Sequence, residues 1–271
     1  MMGRCVSLTI LAVSPATFLP KLSLFKSAFS FILLFAALFI AAAPACVLAS
    51  EAVSYAPISS DWQSGIPDSG VLAYEVYRDN KPIGFHHMQF ARANNEVQVD
   101  IHIELDISFG FIPVFSYTHE NREVWKDGVL QSLTSKTDNN GKPVFVSLAL
   151  EGDRYEGAAT ELDDALILPI MSTSYFDPNF VRSTRLISSQ DGRLLNVEVA
   201  YLGTENVPDI SGTVEAHRFR LTGDFKIDIW YTENGRWVRT EFERGSVLSY
   251  RPVAPSQLPP RSKWRRVELD Q

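Results

Sequence analysis

One stretch constrains this fold more than any other: Asp224–Glu243, DFKIDIWYTENGRWVRTEFE. Phe225, Ile227, Ile229 and Tyr231 alternate with Lys226, Asp228, Trp230 and Thr232, the period of a strand with one buried face. Asn234-Gly235 supplies the residue pair that favours a two-residue type I′ turn, and Trp237, Val238, Thr240 and Phe242 carry the chain back. With Asn234 and Gly235 as the loop, Tyr231 is expected to face Val238, Ile229 to face Thr240 and Ile227 to face Phe242. That register puts the apolar residues of both strands on one side.

The same grammar repeats from Val71 onward. Strands are expected at VLAYEVYR and IGFHHMQFAR around the turn Asp79–Pro82, and at Val97–Ile107 after Ala93–Glu96. In the last of these, Val99, Ile101, Ile103, Leu105 and Ile107 point one way while Asp100, His102, Glu104 and Asp106 point the other. Gly110 and Pro113 mark a bulge or corner. Val114–Trp125, Val129–Thr137, Pro143–Glu151 and Arg154–Ala159 follow, each separated by a Gly-bearing turn. The middle differs: Thr160–Asp164 has the character of a helix cap, and Ser174–Val181 reads as a short helix with Pro178 near its start. A hairpin around Gln190-Asp191-Gly192 and the strands Val214–Leu221 and Gly245–Tyr250 complete a domain over 71–251. Residues 50–70, rich in Ser, Pro, Gly and Asp, read as a linker or loosely docked arm. Residues 252–271 read as a Pro-rich basic tail, either frayed or a handle built from Arg261, Lys263, Arg265 and Arg266 around Trp264.

The first 49 residues carry Arg4, Lys21 and Lys26, no acid, and the apolar run Ala28–Ala43 broken only by Ser30. With small residues at Val47 and Ala49, this is the pattern of a secretory signal peptide cleaved near Ala49, giving a periplasmic or secreted protein. An uncleaved anchor and a lipoprotein acylated at Cys46 are the alternatives; the run is short for a bilayer span, and no leucine opens a lipobox. Without the leader, Lys plus Arg falls from 25 to 22 against 32 acids, and net charge moves from −7 to −10. Such a surface argues against nucleic acid as a partner. Both cysteines, Cys5 and Cys46, lie in the leader, so the stability of the remainder rests on a buried core.

The best candidate for polar chemistry is the second hairpin. With Asn94-Asn95 as its loop, His87 lies across from His102, Gln89 across from Asp100 and Phe85 across from Glu104. Two imidazoles beside carboxylates suit a divalent metal or a shared proton; the plainer reading is the solvated face of a two-faced strand. His119–Glu123 (HENRE) superficially matches a zincin motif, but that chemistry needs helical spacing and FSYTHENREVW alternates as a strand. Asp163-Asp164 suits a helix start, His217 a polar strand face, and Ser246 lacks a nucleophile elbow around it. No cofactor fingerprint is present. What remains is aromatic content: Phe109, Phe111, Phe115, Trp125, Trp230 and Tyr231 are the candidate residues for an aromatic-lined hollow, with a packed core as the alternative.

Three segments, Tyr74–Gly84, Tyr117–Leu133 and Phe219–Tyr250, together resemble a family of exported proteobacterial β proteins catalogued as a domain of unknown function. The resemblance spans roughly Val71–Arg251 and rests on hairpin signals, so it implies a fold and no activity. At fold level it is similar to the half-barrels of periplasmic lipoprotein carriers. The expectation is therefore mainly β: one curved antiparallel sheet or incomplete barrel of ten to thirteen strands with one or two short helices. The expected function is non-catalytic binding of a hydrophobic or amphipathic molecule in the concavity. The alternatives are an assembly factor with an envelope protein partner, and a metal-dependent hydrolase using His87 and His102.

Overall fold

The computed structural model describes residues 58–162, 166–243, 245–267 and 269. The expected leader (1–49), the first part of the 50–70 segment and Asp163-Asp164 lie outside the described residues. Fourteen strands form one sheet: β1 (Val71–Arg78), β2 (Lys81–Ala93), β3 (Glu96–Phe109), β4 (Ile112–Lys126), β5 (Val129–Asn139), β6 (Lys142–Glu151), β7 (Arg154–Ala159), β8 (Met171–Ser172), β9 (Arg185–Ile187), β10 (Leu194–Asp209), β11 (Gly212–Gly223), β12 (Ile227–Tyr231), β13 (Trp237–Glu243) and β14 (Val247–Pro252). The spatial order is β7 to β1 in sequence, then β14 down to β8. Two meanders, each made of sequence neighbours, are thus joined where β1 pairs with β14. Every pairing is antiparallel except the short β8–β9 contact. Among the described residues, helical content is limited to three 3-10 turns, Pro178–Arg182, Pro255–Gln257 and Arg261–Lys263; the expected helix over 174–181 contracts to the first of them. No described helix is long and apolar enough to cross a membrane.

The sheet is strongly curved, and two adjacent residues establish it. The Phe176 ring lies 5.6 Å from Trp125 on β4 and 5.3 Å from Phe90 on β2. Its neighbour Tyr175 lies 5.3 Å from Trp237 on β13 and accepts at its carbonyl a 2.7 Å hydrogen bond from Tyr231 on β12. In the ladder β4 and β12 are six strand spacings apart, roughly 29 Å if the sheet were flat. One dipeptide reaches both only because the sheet curls around it.

That dipeptide belongs to the connection from β7 to β10, residues 166–193, which lies against the inner face. Leu166, Ile170, Met171, Phe176, Phe180, Val181, Leu186 and Ile187 join the inward rows of both meanders in one continuous core. A buried carboxylate fastens the connection to the wall. Glu123 on β4 accepts hydrogen bonds from Asn121 Nδ2 (2.9 Å), Trp125 Nε1 (2.8 Å) and Ser172 Oγ (3.0 Å). Burial raises its pKa while these donors act in the opposite direction. At the other end, Ser135 on β5 donates to the Ser189 carbonyl, and Tyr117 on β4 donates to Gln190 (3.1 Å).

The Asp224–Glu243 hairpin forms with one adjustment. Ile227 faces Phe242 and Ile229 faces Thr240 as expected, but a bulge after Trp230 places Tyr231 opposite Trp237 rather than Val238. The loop is correspondingly longer than the expected I′ turn. Gly235 N–H donates to the Thr232 carbonyl (2.8 Å), Thr232 N–H to the Arg236 carbonyl (3.0 Å), and Gly235 alone in this loop takes positive φ (+85°). A type I turn closed by a left-handed glycine inserts the extra residue that shifts the register. A side chain at Gly235 would also lie 2.8 Å from Pro178 Cγ, because the turn packs against the 178–182 segment.

Residues 58–70, expected as a linker or loosely docked arm, pack on this turn. Ser59 N–H donates to the Glu233 carbonyl (2.8 Å), Arg182 Nη2 donates to the Ile58 carbonyl (2.9 Å), and Ile58 and Ile66 are buried.

Two stability predictions follow from this interior. Phe176→Ala removes the ring that packs the connection against Trp125 and Phe90 and is expected to cost about 3–5 kcal/mol in denaturant unfolding. Asp177 caps the Pro178–Arg182 turn by accepting from Asn179 N–H (2.8 Å), yet desolvation lifts its pKa from 3.8 to about 7. Between these two values the folded chain retains a proton that the unfolded chain releases, so this residue lowers stability as pH rises through that window. Asp177→Asn keeps the cap and removes the charge. Its stability relative to the parent should grow between pH 4 and 7 and level off above, as chemical unfolding across that range measures.

Candidate functional site

The β2–β3 register is the one the sequence implies: Phe85 faces Glu104, His87 faces His102 and Gln89 faces Asp100. The strand alternation puts these side chains on the outer face, opposite Met88, Phe90, Val99 and Ile101 in the core. This face is covered rather than solvated. The tail after β14 folds back over it, and the Trp264 indole stacks on His102 at 4.7 Å with 4° between planes. The same ring lies 4.9 Å from His87 and 5.0 Å from Phe85. Two of the four basic residues expected as a handle are engaged here: Arg265 pairs with Glu104 (3.2 Å) and Asp106 (3.0 Å), and Arg261 donates to Gln89 and to His87 Nε2 (3.3 Å). Aromatic stacking sets the position and the peripheral ion pairs set the direction in which the tail runs.

The hydrogen bonds assign each imidazole a role. His102 Nδ1 meets Glu120 Oε1 at 2.8 Å, the arrangement of an N–H donating to a carboxylate. Since Arg261 donates to His87 Nε2, that nitrogen is an acceptor and the ring is neutral. Burial first, then the charge of Arg261, then His102 and Arg266, lower the His87 pKa to about 4. The two imidazoles are thus committed to a carboxylate and a guanidinium. A cleft of about 790 Å³ remains beside them, lined by Asp100, Glu120, Arg122, Arg261, Trp264 and Arg266 among others. Among the described residues, no group of three or more His, Cys, Asp or Glu side chains is placed to hold a metal ion. His119, from the zincin-like string, turns inward and its Nδ1 meets Thr137 Oγ1 at 2.8 Å. His217 contacts the Tyr201 hydroxyl and Thr204 Oγ1, each at 3.2 Å, and Ser246 accepts from Arg78 (3.0 Å).

The six aromatic residues singled out in the sequence do not share one surface. Trp125 and Tyr231 are fully buried in the main core, and Phe115 packs partly buried against it. Trp230 faces the other side of the sheet, in a small cluster with Val207, Ala216 and Val238, with the Arg218 and Arg239 guanidinium groups at 4.9 and 5.2 Å from its ring. Phe109 ends β3, and its side chain lies outside the described residues. Phe111 is fully exposed.

Phe111 leads to a feature the hollow reading passed over. β2 pairs with β3 only as far as Leu105, and β5 pairs with β4 only from Tyr117. Between these points β3 and β4 register only with each other, closing through a two-residue loop at Gly110-Phe111 in which Gly110 takes positive φ (+61°). At ~3.4 Å per residue, this two-stranded finger extends about 15 Å beyond the neighbouring ladders. Its tip is apolar and exposed on consecutive positions: Phe111, Ile112 (65%), Pro113 and Val114 (56%). Consecutive strand residues point to opposite sides, so the finger presents apolar groups on both faces. The signal was present in the sequence as Phe109–Phe115, FGFIPVF, but the register that leaves it unpaired was not.

The tail contact generates a titration prediction. Because the docked tail holds His87 neutral, proton uptake favours release, and docking should weaken as pH falls from 6.5 toward 4. In an Arg261→Ala/Trp264→Ala variant, NMR titration of the His87 ring is expected to give a pKa shifted upward toward 6.5; an unchanged value would contradict the proposed coupling.

Comparison with known proteins is consistent with this architecture. A beta-barrel-like protein of domain of unknown function DUF1849 from Brucella abortus superposes with a TM-score of 0.51 at 11% identity, covering 68% of this chain and 94% of that one. This likeness concerns the fold alone. No curated protein matches the chain. Residues 74–253, from the second half of β1 to just beyond the end of β14, match the family described as a domain of unknown function, DUF6134. The chain, whose two meanders meet within that span, belongs to the DUF6134 family.

Proposed function

We propose that the protein is exported by residues 1–49 and acts in the bacterial envelope as a non-catalytic binder of hydrophobic or amphipathic molecules. The observation that carries this reading is the finger tip, where Phe111, Ile112 and Val114 stand exposed together. Contiguous exposed apolar groups mark interaction surfaces, whereas single exposed apolar residues are ordinary. The concave side, where the sequence analysis placed the ligand, holds residues 166–193 of the chain itself, so binding is assigned to the tip. At His87 and His102 one ring nitrogen of each is engaged, by Arg261 and by Glu120.

A nitrobenzoxadiazole-labelled fatty acid provides a direct probe. Its fluorescence should rise on mixing with the protein, and Phe111→Asp/Ile112→Asp should weaken that binding at least tenfold. His87→Ala/His102→Ala should leave it within about twofold. Binding insensitive to the tip substitutions, or no binding by the parent protein, would remove this reading.

A further inference from the structure

We infer that the β3–β4 finger is a membrane-insertion element whose partner is the interfacial zone of an electrically neutral lipid bilayer. This inference rests on the proposed binding function and names its partner.

A docking surface for a folded protein is apolar on the side that meets the partner, and its reverse side meets water. The finger has no such reverse side: Phe111, Ile112, Pro113 and Val114 are all exposed, and they occupy both faces of the ribbon. Apolar groups in that arrangement are removed from water together by a medium that surrounds the tip. From Ile107 to Thr118, ISFGFIPVFSYT, the chain carries no acidic, basic or imidazole side chain. Asp106 and His119 bound the neutral stretch. Without a cation at the tip, and with a net charge of −10 once residues 1–49 are removed, nothing at the tip selects an anionic surface. Polarity is graded along the ribbon. Behind the apolar tip come the hydroxyl groups of Ser108 and Ser116, uncharged and capable of hydrogen bonding at headgroup level.

The backbone limits the depth. Below the tip the ribbon has two open edges, and unpaired N–H and C=O groups are not tolerated in the hydrocarbon centre. Immersion by about 5–10 Å, the depth of an interfacial element, covers the last two or three residue pairs and leaves the lower edges hydrated. Pro113 contributes by having no N–H to leave unpaired.

The test is flotation of the purified protein with phosphatidylcholine vesicles, beside vesicles containing phosphatidylglycerol, at low and high salt. The protein is expected to float with phosphatidylcholine alone, with little dependence on salt. Phe111→Asp/Ile112→Asp/Val114→Asp should reduce vesicle affinity at least tenfold with an unchanged melting temperature, since these side chains lie outside the core. Ile210→Asp, at the exposed tip of the β10–β11 hairpin, should float like the parent. The inference is overturned if no flotation occurs, if flotation needs phosphatidylglycerol and is lost in salt, if the triple variant still floats, or if the tip captures a protein and no vesicle. Tip-dependent binding of the soluble labelled fatty acid without flotation would overturn membrane insertion and leave the proposed function standing; failure of both assays would remove both.

Discussion

The arrangement depends on a chain that fills its own concavity. A sheet of fourteen strands with one apolar face must bury that face, and among the described residues only 3-10 turns are available and no helical layer covers it. The 166–193 connection is the cover. Phe176 sits between Trp125 and Phe90 from one meander while Tyr175 meets Trp237 and Tyr231 from the other. The curvature of the sheet and the packing of this connection are therefore one fact. Glu123 fixes where the connection sits, because a carboxylate without access to water requires its donors, and Ser172 on the connection is one of them. Apolar contacts alone would tolerate sliding; a buried acceptor with directional partners does not.

With the inner face occupied, function moves outward. The outer face of β2–β4 carries the Trp264 tail, and the finger that β3 and β4 build beyond the reach of their neighbours groups the exposed Phe111, Ile112 and Val114 in one place. The finger and the filled interior share a cause. Long strands in the middle of the ladder and shorter ones beside them leave a projecting ribbon, while the curl of the same ladder encloses the connection.

Much of the ladder was legible in the sequence, because turns and alternation are local. Asn94 takes the positive φ (+56°) its turn needs, and the His87–His102 register follows from it. The opening hairpin was legible to within its loop: Asn234-Gly235 suggests a two-residue turn, but Thr232 through Arg236 form a longer one and the bulge at Tyr231 absorbs the difference. Strand counting fell one short of the fourteen observed at the upper end of its range, since two- and three-residue strands such as β8 and β9 carry no period. What the sequence could not display were contacts between distant segments without periodicity. Trp264 meets His102 across more than 160 positions, and nothing in RSKWRR indicates a stacking partner. Glu123 lay inside a string dismissed for zinc chemistry, and its value as an anchor depends on Ser172, whose placement only the tertiary fold decides.

The central claim is that residues 166–193 belong to the core and are no movable lid over a hollow. Amide hydrogen exchange on the native protein tests it most directly. Thr173 N–H donates to the Ile187 carbonyl (3.1 Å), Ser188 N–H to the Arg193 carbonyl (2.9 Å) and Ser189 N–H to Thr173 Oγ1 (3.0 Å). If the account is right, these amides exchange as slowly as those of the central strands β1 and β14, through global unfolding. Exchange orders of magnitude faster than the strands, with the sheet itself still protected, would mean that the connection opens on its own and that the interior is an accessible site.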